Sequence, residues 1–165
     1  MLHEFLCGVA NNSNGRLAIA VPYVDKGVAK SSGAWSEMKH QEIDLVLVTG
    51  GADAEKAWTE LRDYPWRSIL ICQSRALHAK LYSFVSGNGH GSCLIGSHNL
   101  TIPGLRRNFE AGVLLRSNSA DREMQDVVLA CQQQVLDLAA QGKVFIDTTK
   151  WPDLNESESR GGCHD

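Results

Sequence analysis

The chain predicts an α/β fold, a mixed β-sheet flanked by helices on both faces, and three features of its 165 residues lead there. Leu17-Ala18-Ile19-Ala20-Val21-Pro22-Tyr23 is a continuous apolar run, as expected of a strand buried on both faces, and Ile43 to Val48 reads as a second buried strand. Helix-like spacing separates and follows them. In the second half, strand-like runs succeed one another across turn-like stretches, which adds hairpins to the alternating pattern.

The first dozen residues read as a short helix, ended by the turn cluster Asn11-Asn12-Ser13-Asn14-Gly15. The first apolar strand follows. Asp25 to Gln41 is mixed and holds a helix interrupted at Gly33. The second strand, Ile43 to Val48, closes at Thr49-Gly50-Gly51. Ala52 to Arg62 is helical, because Ala54, Ala57, Trp58 and Leu61 recur at three-and-four spacing. Trp66 to Cys72 is the third strand. His78 to Val85, Ser92 to Ser97 and Phe109 to Leu115 are three more, the first two joined by the turn at Ser86 to Gly91. Ser119 to Gln141 is a long helix with Ser119 as its cap and Asp121 and Glu123 in the first turn. Val127, Val128, Cys131, Val135 and Leu138 form its buried stripe, and Lys143 to Ile146 adds a short strand. Residues 1–150 are expected to form one domain, and 151–165, polar and Gly-rich, a frayed tail.

Composition narrows the function classes. A net charge of −3 supplies no global basic field, so a polyanion must bind a local patch. Cys7, Cys72, Cys93, Cys131 and Cys163 are scattered, odd in number and free of C-x-x-C spacing. Reduced thiols in a cytoplasmic setting are the expectation, with Cys72 and Cys93 buried as small hydrophobes. Met1 to Ala10 carries Glu4 and lacks the basic-then-apolar order of a secretory signal. No apolar run approaches the roughly 20 residues that span a bilayer, so no membrane anchor is expected.

The chemistry concentrates in His78 to Glu110. In an extended strand His78, Lys80, Tyr82 and Phe84 share one face. A neutral imidazole can attack phosphorus, an imidazolium can protonate a leaving oxygen, and Lys80 can offset charge on the non-bridging oxygens. In Gly96-Ser97-His98-Asn99-Leu100-Thr101, Ser97 and Asn99 supply neutral donors to phosphate oxygens and Gly96 permits close backbone approach. Glu110, at the mouth of an apolar strand, can orient an imidazole. Arg106 and Arg107 are candidate contacts to a phosphate backbone. Each signal alone also has an ordinary reading: a solvated His-x-Lys on an edge strand, a strand-ending turn with Thr101 capping a helical turn at Ile102 to Leu105, surface charges.

Together, in this order, these residues resemble the phospholipase D superfamily. Its HKD signature is His-x-Lys (here His78 and Lys80), a Gly-Ser-x-Asn element (Gly96, Ser97, Asn99) and a trailing Glu (Glu110). Leu100-Thr101, Gly104 and Asn108 are similar to the continuation seen in nuclease-like members. The resemblance spans about residues 15 to 146. One position departs: Val85 stands where the family carries the Asp of HKD.

The resemblance implies a phospholipase D-like sandwich that works without metal or cofactor through a phosphohistidine. His78, Lys80, Asn99 and Glu110 would be catalytic, and Gly96, Ser97, Arg106 and Arg107 would contact substrate. Two such motifs build one site in the superfamily and this chain has one, so a homodimer is implied. Short single-motif members resemble endonucleases, which makes DNA or RNA the expected substrate and a helicase or DNA-binding protein a possible partner. A phospholipid-cleaving or phosphatidyl-transferring enzyme would use the same residues, and a non-catalytic phosphate-binding or dimerisation module would keep the pocket without turnover. A metal site from His78, His90 and His98 has no defensible zinc spacing.

Overall fold

The computed structural model describes residues 1–34, 42–106, 110–118 and 120–148. The expected tail at 151–165, Ser119, Arg107 and Asn108 lie outside them. Helix α1 spans Leu2–Ala10, followed by strand β1, Asn14–Val21, helix α2, Val28–Ser32, and strand β2, Glu42–Thr49. After a 3-10 turn at Gly51–Asp53 come α3, Ala54–Leu61, β3, Ser68–Gln73, β4, Leu81–Ser86, and β5, Gly91–Gly96. The chain then forms α4, Ile102–Arg106, β6, Gly112–Ser117, α5, Arg122–Gln141, and β7, Lys143–Asp147.

All seven strands join one mixed sheet in the order β6-β5-β4-β1-β2-β3-β7. The apolar runs β1, β2 and β3 lie parallel at its centre. Strands β4, β5 and β6 extend it as antiparallel neighbours on one side, and β7 closes the other side against β3. The mixed α/β sheet expected from the alternating pattern is the one found.

Strand alternation sorts side chains between two cores. Leu17, Ile19, Leu45, Leu47, Ile71, Tyr82 and Leu94 pack with α1, α2 and α3. There Phe5 of α1 meets the Tyr82 ring edge-on, with centroids 5.9 Å apart. The opposite face, with Ala18, Ala20, Val46, Val48 and Cys72, lies under Val135 and Ala139 of α5. Small residues at Ala18, Ala20 and Ser83 let α5 sit close, and Ser83 Oγ donates to the Val128 carbonyl at 3.2 Å.

Several boundaries differ from the sequence expectation for local reasons. The cap of α5 is Asp121, whose carboxylate accepts from Met124 N at 3.0 Å. On α5 Gln132 is buried while Val127 is exposed. The amide of Gln132 donates to the Arg16 carbonyl at 3.1 Å, so its burial is satisfied. Gly33 ends α2 in the left-handed conformation at φ 66°, which suits glycine.

Cys7, Cys72, Cys93 and Cys131 are free thiols, with Cys72 and Cys93 buried as expected. Burial, reinforced by the neighbouring Cys131 thiol, pushes the Cys93 thiol up to about 12. Cys93 is therefore expected to resist iodoacetamide at pH 8 in the folded protein and to react once urea unfolds it, since only the thiolate attacks. Mass spectrometry of labelled peptides checks this; equal labelling in both states would contradict it.

Candidate active site

Strand direction brings the chemistry to one end of the sheet. Strands β1, β2, β3 and β5 finish there, and β4 and β6 begin there, with Ala20 opposite Leu81, Leu81 opposite Ile95, and Gly96 opposite Gly112. The pairing continues one step past the strand ends. Gly96 N donates to the Lys80 carbonyl at 3.2 Å, and Ser97 N to the Ala111 carbonyl at 2.9 Å. Lys80, Gly96, Ser97 and Glu110 thus leave the sheet side by side, although they are up to 30 positions apart in the chain.

His78 and Lys80 precede β4 rather than lying in it, which corrects the expected strand start at His78. The alternation persists, but no ladder partner extends so far. His78 is exposed, and Lys80 Nζ folds back to donate to the His78 carbonyl at 3.4 Å. The imidazole stands open to a ligand on a segment that its neighbour helps to hold.

Ser97 and Glu110 meet directly: the Ser97 hydroxyl donates to the Glu110 carboxylate and accepts from Ala111 N at 3.1 Å. The carboxylate fixes which way the hydroxyl points. His98, between Ser97 and Asn99, turns inward and is only 4% exposed. Gly112 makes room for it, because a Cβ there would stand 3.2 Å from His98 Cε1. The buried Tyr82 hydroxyl donates to the His98 carbonyl at 3.1 Å. Burial, with the Glu110 charge adding to it, holds that phenol protonated far above its ordinary range.

The His98 Nδ1 atom is buried without a hydrogen-bond partner among the described residues. Burial lowers its pKa from the ordinary 6.5; the Glu110 charge works the other way, and the nearby amino terminus adds to the lowering. Below about pH 6.5 the unfolded chain takes up a proton that folded His98 resists. This contribution to stability is therefore complete above that pH and is lost as pH falls through the folded value. The urea midpoint is expected to drop between pH 7.5 and pH 5.5, and to drop less in His98→Gln; an equal drop would contradict it.

Asn99 faces a different space. It lines an open depression of about 470 Å³ with Tyr23, Asp25, Asp53, Lys56 and Thr101. Two loops close around it: Val24 bridges Leu100, Asp25 N donates to the Leu100 carbonyl at 3.0 Å, and Ile102 N donates to Asp25 Oδ2 at 3.2 Å. Asp53 is buried, accepts from Val24 N at 3.4 Å and pairs with Lys56. Thr101 Oγ1 accepts from Gly104 N at 3.2 Å, so its capping role at α4 holds.

The remaining sequence candidates are placed as follows. Arg106 ends α4, and its guanidinium donates to the Ser31 carbonyl of α2, while Arg107 lies outside the described residues. His90 sits in the turn before β5, at the end of the sheet away from His78, so the three histidines share no site. Among the described residues no group of three His, Cys, Asp or Glu could hold a metal ion. Val85, in the place of the superfamily Asp, lies on β4 and meets a small cavity shared with Val128 and Leu129 of α5. Sequence reasoning missed Tyr23, Asp25, Asp53 and Lys56, whose proximity to Asn99 the β5-β4-β1-β2 order creates.

The family model for the N-terminal PLD domain of the NgoFVII restriction endonuclease matches residues 9–139. No curated protein sequence matches the chain as a relative. Among solved structures, the fold is similar to NucT from Helicobacter pylori, with TM-score 0.53, 12% identity, and coverage of 87% of this chain and 90% of that one. A further similarity is to Nuc from Salmonella typhimurium, a phospholipase D family member, with TM-score 0.49, 14% identity, and coverage of 86% and 89%.

Proposed function

The chain belongs to the family of the NgoFVII restriction endonuclease N-terminal PLD domain, and on that premise we propose that it is a phosphodiesterase cutting nucleic acid through a histidine nucleophile, without metal. That the family is one of a restriction endonuclease supports nucleic acid as substrate. The observation that carries the reading is the convergence at one sheet end of Lys80, Gly96, Ser97 and Glu110, with His78 exposed beside them.

In this mechanism a His78 ring nitrogen attacks phosphorus, forming a P–N bond as the P–O bond to the leaving group breaks. Lys80 and Ser97 hold the non-bridging oxygens, where charge develops. The proton for the leaving oxygen comes from His78 of the partner subunit as imidazolium. That imidazole, now neutral, takes a proton from water, whose oxygen attacks phosphorus and breaks the P–N bond. The Ser97 hydroxyl has one proton, given to Glu110 in the free site, and it turns from the carboxylate to a phosphate oxygen when substrate binds. Arg106 keeps donors beyond the one given to Ser31, and with Arg107 serves as a backbone contact.

A homodimer completes the site by bringing two copies of His78 together. Support for a contact surface lies beside the motif: Ile95 and Val113 oppose each other in register, 45% and 55% exposed, one residue from Gly96 and Gly112. Among the described residues no helix is long and apolar enough to cross a membrane.

The test is incubation with single-stranded DNA, duplex DNA, RNA and phosphatidylcholine vesicles, all in EDTA. Cleavage of a nucleic acid supports the reading and names the substrate. Cleavage of lipid alone overturns the substrate, and cleavage of nothing, at any protein concentration that sustains a dimer, overturns the enzyme.

A further inference from the structure

We propose that the depression lined by Tyr23, Asn99, Asp25 and Asp53 is a nucleobase subsite, which makes the substrate a nucleic acid with an unpaired base beside the scissile phosphate. The inference rests on the nuclease reading above and goes beyond it by assigning a residue to base recognition.

Tyr23 stands two residues past the end of β1 and is 60% exposed, although Val21, Pro22 and Val24 around it are buried. The chain thus holds an aromatic ring out at the rim from a rigid base. The position is next to the phosphate chemistry: Asn99 lines the same depression and stands two residues from Ser97, whose hydroxyl is set by Glu110. A volume of about 470 Å³ is within the range that takes a small organic ligand, more than a lone phosphate needs.

The polar lining decides between base and phosphate. Asp25 and Asp53 place carboxylates there, and the Lys56 charge is matched by its pairing with Asp53. A phosphate would be repelled. Asn99 is half-buried in the lining, and its Oδ1 has no hydrogen-bond partner among the described residues; a turn of the amide brings that acceptor to a donor in the depression. An exocyclic amino group of cytosine or adenine is a neutral donor of that kind. A ring face on Tyr23 and acceptors around it suit a flat heteroaromatic carrying N–H groups. A base inside a duplex offers neither its face nor its pairing edge, so it must be unstacked and unpaired to enter.

The experiment measures binding by fluorescence anisotropy in His78→Ala protein, where substrate is not consumed. The probes are a short oligodeoxycytidylate, its ribose counterpart, and an abasic strand of equal length and charge. Base-bearing strands are expected to bind about tenfold more tightly than the abasic one, a gain of the size that base–aromatic stacking gives. That ratio is expected to fall to about one in Tyr23→Ala and to persist in Tyr23→Phe, which keeps the ring. The larger ratio of the deoxyribose and ribose probes names the sugar. Equal binding of base-bearing and abasic strands, or a ratio unchanged by Tyr23→Ala, overturns the subsite. Cleavage by the unmodified protein, measured alongside, separates the two ideas. Cleavage without base discrimination removes the subsite and leaves the nuclease. Tyr23-dependent base discrimination without cleavage removes the nuclease and leaves the subsite. Failure to bind any strand and to cut any strand removes both.

Discussion

Replacing His78 with alanine is expected to reduce phosphodiester cleavage on the order of 10⁴-fold, with binding of the substrate largely retained. The size follows from what is removed. Lys80 and Ser97 still hold the phosphate, but no group remains to form the P–N bond or to carry the proton. A sharper consequence concerns stoichiometry. If one site needs two copies of His78, a mixed dimer is as dead as a doubly mutated one. Unfolding and refolding equal amounts of both proteins together should leave roughly one half of the activity the unmodified protein had before mixing, because only dimers with two intact chains work. Retention of all of it would mean that each chain acts alone.

Gly96→Ala is expected to cost about 3 kcal/mol, the upper end of overpacking penalties, and to lower the melting temperature by roughly 6–12 °C. A Cβ at Gly96 would collide with the Ala111 carbonyl oxygen and stand 2.7 Å from Gly112 Cα. Both obstacles are backbone, which cannot swing aside as a side chain would. Movement of Gly96 also stretches its bond to the Lys80 carbonyl, so activity should fall by more than the loss of folded protein explains. Gly8 provides the contrast. Nothing lies within 4 Å of a Cβ there, and it sits inside α1. Gly8→Ala is expected to raise stability by about 0.5–1 kcal/mol through helix propensity. Denaturant titration of the two variants checks both signs at once.

The sequence made some of this legible and concealed the rest for physical reasons. Strands β1, β2 and β3 are readable because a strand buried on both faces is apolar along its length, as Leu17 to Val21 and Leu45 to Val48 are; Asp44, at the start of β2, is tolerated because it pairs with Arg67 and Ser68. The start of β4 is not, because the alternation from His78 onward looks the same whether or not a neighbour supplies hydrogen bonds. Helix α5 is readable as a helix but not by its buried face. Gln132 lies inward because a backbone acceptor, the Arg16 carbonyl, waits beneath it. The order His78, Lys80, Ser97, Asn99, Glu110 marks the site in one dimension, and the pairing of β4, β5 and β6 explains why the spacing works in three. Nothing local marks Tyr23, Asp53 and Asn99 as neighbours, since the sheet order alone brings their loops together.

The packing of α5 over the face of Ala18, Ala20, Val46, Val48 and Cys72 has a consequence for how the chain is made. Ribosomal synthesis delivers β1 to β3 long before residue 122, so this apolar face has no native cover during much of translation. A pause between Ser86 and Arg122 would expose the nascent chain at its most adhesive. Holding factors that bind apolar surface are then expected to associate with that interval, and to let go once α5 has emerged and docked.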